Sequence, residues 1–155
     1  MRYAARTCAV ALVSAGVTVA VALLSAARLA DAPARGRLPG PDALGSFASI
    51  AALGVGLAAF AWLGRSIAHD AGHSRPSIVA GAIGGALTGL AGGAAQSFAL
   101  ADYLGAVLAG YAVPPEFLTI ALGTYVLLAA LGAAAVGGAI TYVAWHRARG
   151  GALSR

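Results

Sequence analysis

The sequence predicts an all-α integral membrane protein: a four-helix bundle with a short interfacial helix between its third and fourth helices. Three observations carry that prediction. Hydrophobic residues make up 60% of the 155 positions and charged residues only 10%, against about 25% charged in an ordinary soluble domain. The charges leave four long gaps, Thr7–Ala27, Ala43–Gly64, Pro76–Ala101 and Phe117–Trp145. Each is as long as the roughly 20 apolar residues that a helix needs to cross a hydrocarbon core of about 30 Å. Within the gaps, small residues recur every third or fourth position, the spacing of one helix face. A single transmembrane domain therefore fills 1–155, with spans near 7–28, 43–64, 77–100 and 117–145. No room is left for a separate catalytic domain.

Span one follows the basic segment MRYAART. That opening and the small residues of LLSAARLADAPA resemble a secretory signal, but the apolar stretch exceeds the roughly 7–15 residues of a signal core. Arg28 and Pro33 also fit cleavage poorly, so an uncleaved span is expected. Thr7, Ser14, Thr18 and Ser25 project to nearly one angle, a hydroxyl seam suited to interhelical hydrogen bonds. Cys8 is the single cysteine and can form no internal disulfide. The following loop, DAPARGRLPGPD, is too rich in Pro and Gly for a helix.

Span two carries Gly45, Ser49, Ala52, Gly56 and Ala59 on one stripe and ends in GRSIAHDAGHSRP, Gly64 to Pro76. If its helix continues past Arg65, His69 and His73 lie one turn apart on one face, a spacing that lets two imidazoles reach one metal ion. His146, at the end of span four, is expected at the same membrane side. The run His69-Asp70-Ala71-Gly72-His73 resembles the first histidine box of membrane fatty-acid desaturases, His-Asp-x-Gly-His. The resemblance covers five of 155 residues and implies His69 and His73 as ligands of a di-iron centre. Those enzymes draw on further histidine boxes, and here only His146 remains, in Trp-His-Arg-Ala-Arg. The zincin pattern needs Glu where Asp70 stands. The segment therefore reads first as a solvated loop, with no cofactor expected.

Span three holds the strongest pattern in the chain. Gly81, Gly85, Gly89 and Gly93 recur every four residues, and Ser97 continues the series. With Gly84, Thr88, Gly92 and Gln96 they cover about half the helix circumference, at 100° per residue. Ile83, Leu87, Leu90 and Phe98 hold the other side. Glycine lets two backbones approach closely and gain van der Waals contact where lipid supplies no hydrophobic drive. The face is expected in the interior of the bundle or, alternatively, against another subunit. Gln96, the only side-chain amide, is expected to bond a neighbouring helix or line a wet crevice.

After span three, ADYLGAVLAGYAVPPEF is too short to cross, but Leu104, Val107, Leu108 and Tyr111 fall at helical spacing. A short helix lying at the interface, stopped by Pro114 and Pro115, or alternatively a re-entrant segment, is expected there. The acids Asp102 and Glu116 would meet water or Arg35 and Arg37. Span four, like spans one and two, offers a small-residue face that could meet the ridge, with Thr119, Gly123, Ala130, Ala134, Gly137, Gly138 and Thr141.

Charge placement sets orientation and narrows function. All ten basic residues are Arg. Seven (2, 6, 65, 75, 147, 149 and 155) fall on the side of the termini, and three (28, 35 and 37) on the other. That distribution predicts cytoplasmic termini. The usage of Ala, Gly and Arg without Lys suggests a bacterial inner-membrane protein. Trp62 and Trp145 would mark one interface, Tyr103 and Tyr111 the other. Arg residues scattered singly at span ends form no nucleic-acid stripe. The spans contain no ionisable residue of the kind that ion-coupled transporters keep at membrane depth. No Ser-His-Asp set and no phosphate-binding glycine loop is present.

Three functions follow. The first is a non-enzymatic packing or accessory subunit that associates with itself or a larger membrane complex through its glycine-rich faces. The second is an oligomeric pore or carrier, lined by Gln96, Thr88 and the hydroxyl seam. The third is a metal-dependent membrane enzyme built on His69, His73 and His146.

Overall fold

In a computed structural model of the protein, which describes residues 3–29 and 43–150, the chain forms four long helices. These are α1 (Ala4–Leu29), α2 (Ala43–Asp70), α3 (Arg75–Gly110) and α4 (Pro115–Gly150). No strand occurs among the described residues. Each helix is long and apolar enough to cross a membrane, as the uncharged runs predict. At 1.5 Å per residue the 36 residues of α3 and of α4 each extend about 54 Å, well beyond the hydrocarbon thickness.

The helices exceed the uncharged runs because hydrogen-bonded turns, once nucleated, continue until something stops them. This corrects the expected interfacial helix. Residues 101–110 form no separate element but prolong α3 without a break. Asp102 and Gly105 are too weak to interrupt it. The stop comes at Ala112, whose φ of 53° is left-handed. Val113 N–H donates to the Leu108 carbonyl and Ala112 N–H to that of Ala109. This is a Schellman closure with alanine where glycine is usual, and Pro114 and Pro115 follow it.

Packing gives the bundle an uncommon order. α3 packs most extensively on α4, then α1 on α3, α2 on α4 and α1 on α2. The consecutive helices α2 and α3 lie diagonally opposed and share few contacts, although only residues 71–74 join them. That connection passes under the bundle, at the end that carries the start of α1 and the end of α4. The largest of the buried apolar side chains are packed at this base. Val10, Phe60, Leu63, Ile67, Ala71 and Ala80 are buried together, flanked by Tyr3, Ile140 and Trp145.

The two ends differ. At the base α2 lies close to α4, where a Cβ on Gly64 would sit 2.9 Å from Ala144 Cβ. Farther along, α2 leans away: from Gly45 to Ala59 none of its residues is buried, and Gly54 and Gly56 have nothing within 4 Å of a Cβ position. Phe60 marks the change. Its ring lies across the glycines of α3 and α4, 3.2 Å from a Cβ position on Gly84 and 3.3 Å from one on Gly137.

Candidate functional site: a glycine-built seam and the cleft beside it

The α3 glycines face α4. A Cβ on Gly81 would lie 2.8 Å from Thr141 Cβ, and one on Gly85 would lie 2.7 Å from the Ala133 carbonyl carbon and 3.0 Å from Ala134 Cα. On Gly89 it would lie 2.7 Å from Ala130 Cα, and on Gly93 3.3 Å from Val126 Cα. At Gly81, Gly85 and Gly89 the α4 backbone comes so close, at the carbonyls of Gly137, Ala133 and Ala129, that no side chain fits without the helices parting, while at Gly93 the approach is tight but less severe. On α4, Gly137 and Gly138 are buried in the same seam, as are Ala130 and Thr141. Ala134 is half-buried, and Gly138 would place a Cβ 3.4 Å from the Ile78 carbonyl oxygen. The other edge of the glycine face serves α1: a Cβ on Gly92 would lie 3.2 Å from Thr18 Cβ. Ile83, Leu87, Leu90 and Phe98 are exposed on the opposite side, as the pattern requires. The stripe therefore builds the interior of its own bundle.

The α4 stripe does not hold along its whole length. Thr119 and Gly123 are exposed, and Gly123 has nothing within 4 Å of a Cβ position. There α3 and α4 enclose an apolar crevice of about 380 Å³, whose buried Ser97 hydroxyl has no partner. Gln96 is half-buried, lines neither this crevice nor the cleft described next, and makes no side-chain hydrogen bond to a described residue.

Where α2 leans away, an open-sided cleft of about 330 Å³ forms among all four helices. Ser14 and Thr18 of α1, Ser49 and Gly56 of α2 and Thr88 of α3 line it, with Phe60 toward the base. Its lining carries no charged side chain. The hydroxyls do not bridge helices, as the seam on α1 suggested they would. Thr7, Thr18, Ser25, Ser49, Thr88 and Thr141 each donate to the carbonyl four residues back in their own helix, at 2.6–2.9 Å. This local bond is always within reach of a helical Ser or Thr, and it removes the need for a partner. Among the hydroxyl residues that line this cleft, Ser14 is the exception. Only 3% exposed, its Oγ makes no hydrogen bond.

The histidine segment forms a different structure. His69 lies in the last turn of α2, but His73 falls beyond the helix in the 71–74 connection. Gly72 and the start of α3 at Arg75-Pro76 stop the continuation that the four-residue spacing requires. Both histidines and His146 are exposed, and His146 makes an edge contact with the Tyr142 ring at 6.1 Å. Among the described residues no three His, Cys, Asp or Glu side chains gather as a metal-holding group. The donor set does not fit a di-iron centre.

The segment instead ties the base together. Arg6 of α1 donates to Asp70 Oδ2 at 2.8 Å and to the Ser66 carbonyl at 3.2 Å. Arg149 of α4 donates to the Gly72 carbonyl while its guanidinium lies 5.4 Å from the Trp145 ring centroid. Sequence reasoning missed these ties. The available signal was that Asp70 is the only acid on the side of the termini, which is rich in Arg. The pairing of Asp102 or Glu116 with Arg35 or Arg37 lies outside the described residues, as does the 31–42 loop; both acids are exposed.

Compared with protein-family models, characterised proteins and solved structures, the chain matches none.

Proposed function

We propose that this chain is a non-enzymatic, multi-pass protein of a bacterial inner membrane, with both termini in the cytoplasm, that holds a small neutral solute inside the bilayer. The supporting observation is the contrast between its two ends. One end is closed by large side chains and tied by Arg6–Asp70, while beyond it α2 leans away and leaves an uncharged cleft of about 330 Å³ lined from all four helices. The cleft's volume lies at the lower end of the roughly 300–1,000 Å³ of ligand sites. The pocket belongs to one chain, so the carrier reading needs no oligomer to supply its lining. The test is gentle detergent extraction, then mass spectrometry of the organic extract. A neutral molecule near one per chain is expected. Protein free of any such molecule, together with no uptake of neutral solutes by reconstituted vesicles, would refute the reading.

A second reading, association with itself or with a larger membrane complex, draws on Gly16, Gly54 and Gly132. All are exposed, helical and without a neighbour within 4 Å of a Cβ position. Each costs its helix about 1 kcal/mol relative to Ala with no return inside the chain. Cysteines at these positions should cross-link between chains if a partner helix rests there, and should stay monomeric if lipid does.

A further inference from the structure

We infer that Arg65 of α2 and Arg147 of α4 together clamp the phosphate of an acidic phospholipid at the base of the bundle. The inference goes beyond the solute-holding reading and does not depend on the cleft. Charge is shared unequally between the two ends. Among the described residues the base carries Arg6, Arg65, Arg75, Arg147 and Arg149 against one acid, Asp70. The other end carries Arg28 against Asp102 and Glu116. Asp70 is already taken by Arg6, and Arg149 is held by the Gly72 carbonyl and the Trp145 ring. Arg65 and Arg147 are exposed and make no hydrogen bond or ion pair with a described residue.

Their placement makes these two a pair. α2 and α4 run in the same direction and meet at the base through Gly64 and Ala144. At about 100° per residue, Arg65 turns outward from Gly64, and Arg147 turns outward from Ala144 on the same side of that contact. The two lie within about 5 Å of one level, at 1.5 Å per residue. Both guanidinium groups can therefore reach one phosphate, which their forked donors suit. Trp62 is exposed one turn above Arg65, on the same outer face of α2. An exposed indole at the end of a span marks the headgroup level, so the two cations stand where lipid phosphates lie. A zwitterionic lipid carries its own cation beside that phosphate. An acidic phospholipid leaves its charge for the two Arg.

The test is lipid exchange on the full chain in phosphatidylcholine nanodiscs, into which phosphatidylglycerol or phosphatidylcholine with brominated acyl chains is titrated. Bromines on the upper part of the chain quench the fluorescence of exposed Trp62 when the headgroup sits at Arg65. Phosphatidylglycerol should be preferred over phosphatidylcholine by about twenty- to thirty-fold, roughly five-fold for each cation at the membrane surface. Arg65→Gln and Arg147→Gln should each reduce that preference by about five-fold, and the double variant should abolish it. Both positions are exposed, so Tm should stay at the wild-type value. Arg75→Gln removes the same charge from the base on α3, the helix diagonal to α2, and should leave the preference unchanged. A wild-type chain that does not distinguish the two lipids, or a preference that survives in the double variant, would overturn the proposal. A loss in Arg75→Gln equal to that in Arg65→Gln would overturn the paired site in favour of a diffuse basic surface.

Discussion

Replacing Gly85 with alanine adds one carbon where the α3–α4 seam has no space for it. The new Cβ would lie 2.7 Å from the Ala133 carbonyl carbon and 3.0 Å from Ala134 Cα. Both are backbone atoms, so no rotamer change relieves the collision. The Ala133 carbonyl oxygen lies closer still, and to restore even ordinary carbon contact the helices must part by roughly 0.8 Å or more. That separation also loosens the neighbouring approaches at Gly81 and Gly89. Overpacking of this kind costs about 1–3 kcal/mol, offset by the roughly 1 kcal/mol that a helix gains when Ala replaces Gly. A net loss of up to about 2 kcal/mol lowers the Tm by up to roughly 8 °C for a chain of this length. Gly132→Ala supplies the matched control. It makes the same change in a helix, with nothing within 4 Å, so only the propensity gain remains and Tm should rise. Thermal unfolding in detergent, followed by Trp62 and Trp145 fluorescence, reads both. Tm changes of the same sign and size in the two variants would refute the claim that the seam is close-packed. Loss of an oligomer with the monomer still folded would move the glycine face to a subunit interface.

Three further outcomes are expected. Ala112→Gly should raise Tm by a few degrees, because alanine in a left-handed closure costs about 1–2 kcal/mol that glycine does not; an unchanged Tm would mean the closure carries no strain. Asp70→Asn should lower Tm by no more than about 1–4 °C, since a half-exposed ion pair contributes at most about 1 kcal/mol, and high salt should erase the difference between the two proteins. With Cys8 replaced, a cysteine at Glu116 should react with an impermeant thiol reagent in intact cells and one at His73 should not. The reverse pattern would invert the topology.

The helices and the seam were legible for physical reasons. Uncharged runs of this length mark helices that can cross a membrane, and an every-fourth-residue glycine ridge has no simpler use than close backbone contact. The ends of the helices were less legible, because charge marks where a membrane stops and not where hydrogen bonding stops. Thus α3 runs through Asp102 and Gly105 to the closure at Ala112. Which helix the ridge would meet was hidden as well. Short connections suggest neighbours, yet α2 and α3 are diagonal, and α4 covers the ridge. The Arg6–Asp70 tie spans 64 positions and leaves no local pattern. Ser14 was visible as one hydroxyl of four, but its lack of a partner follows from side-chain geometry that spacing does not encode.

The central claim, that the glycine ridge is spent inside its own chain and leaves the cleft beside it free, meets its most direct test at Ala82 and Gly138. A Cβ on Gly138 would lie 3.7 Å from Ala82 Cβ, near the mean of about 3.8 Å in disulfides. In a chain with Cys8 replaced, the double variant Ala82→Cys, Gly138→Cys should oxidise in native membranes to an intramolecular disulfide that runs as a monomer on a non-reducing gel and maps to those two positions. A dimer band formed through these cysteines, or two thiols that stay reduced under oxidant, would contradict the account.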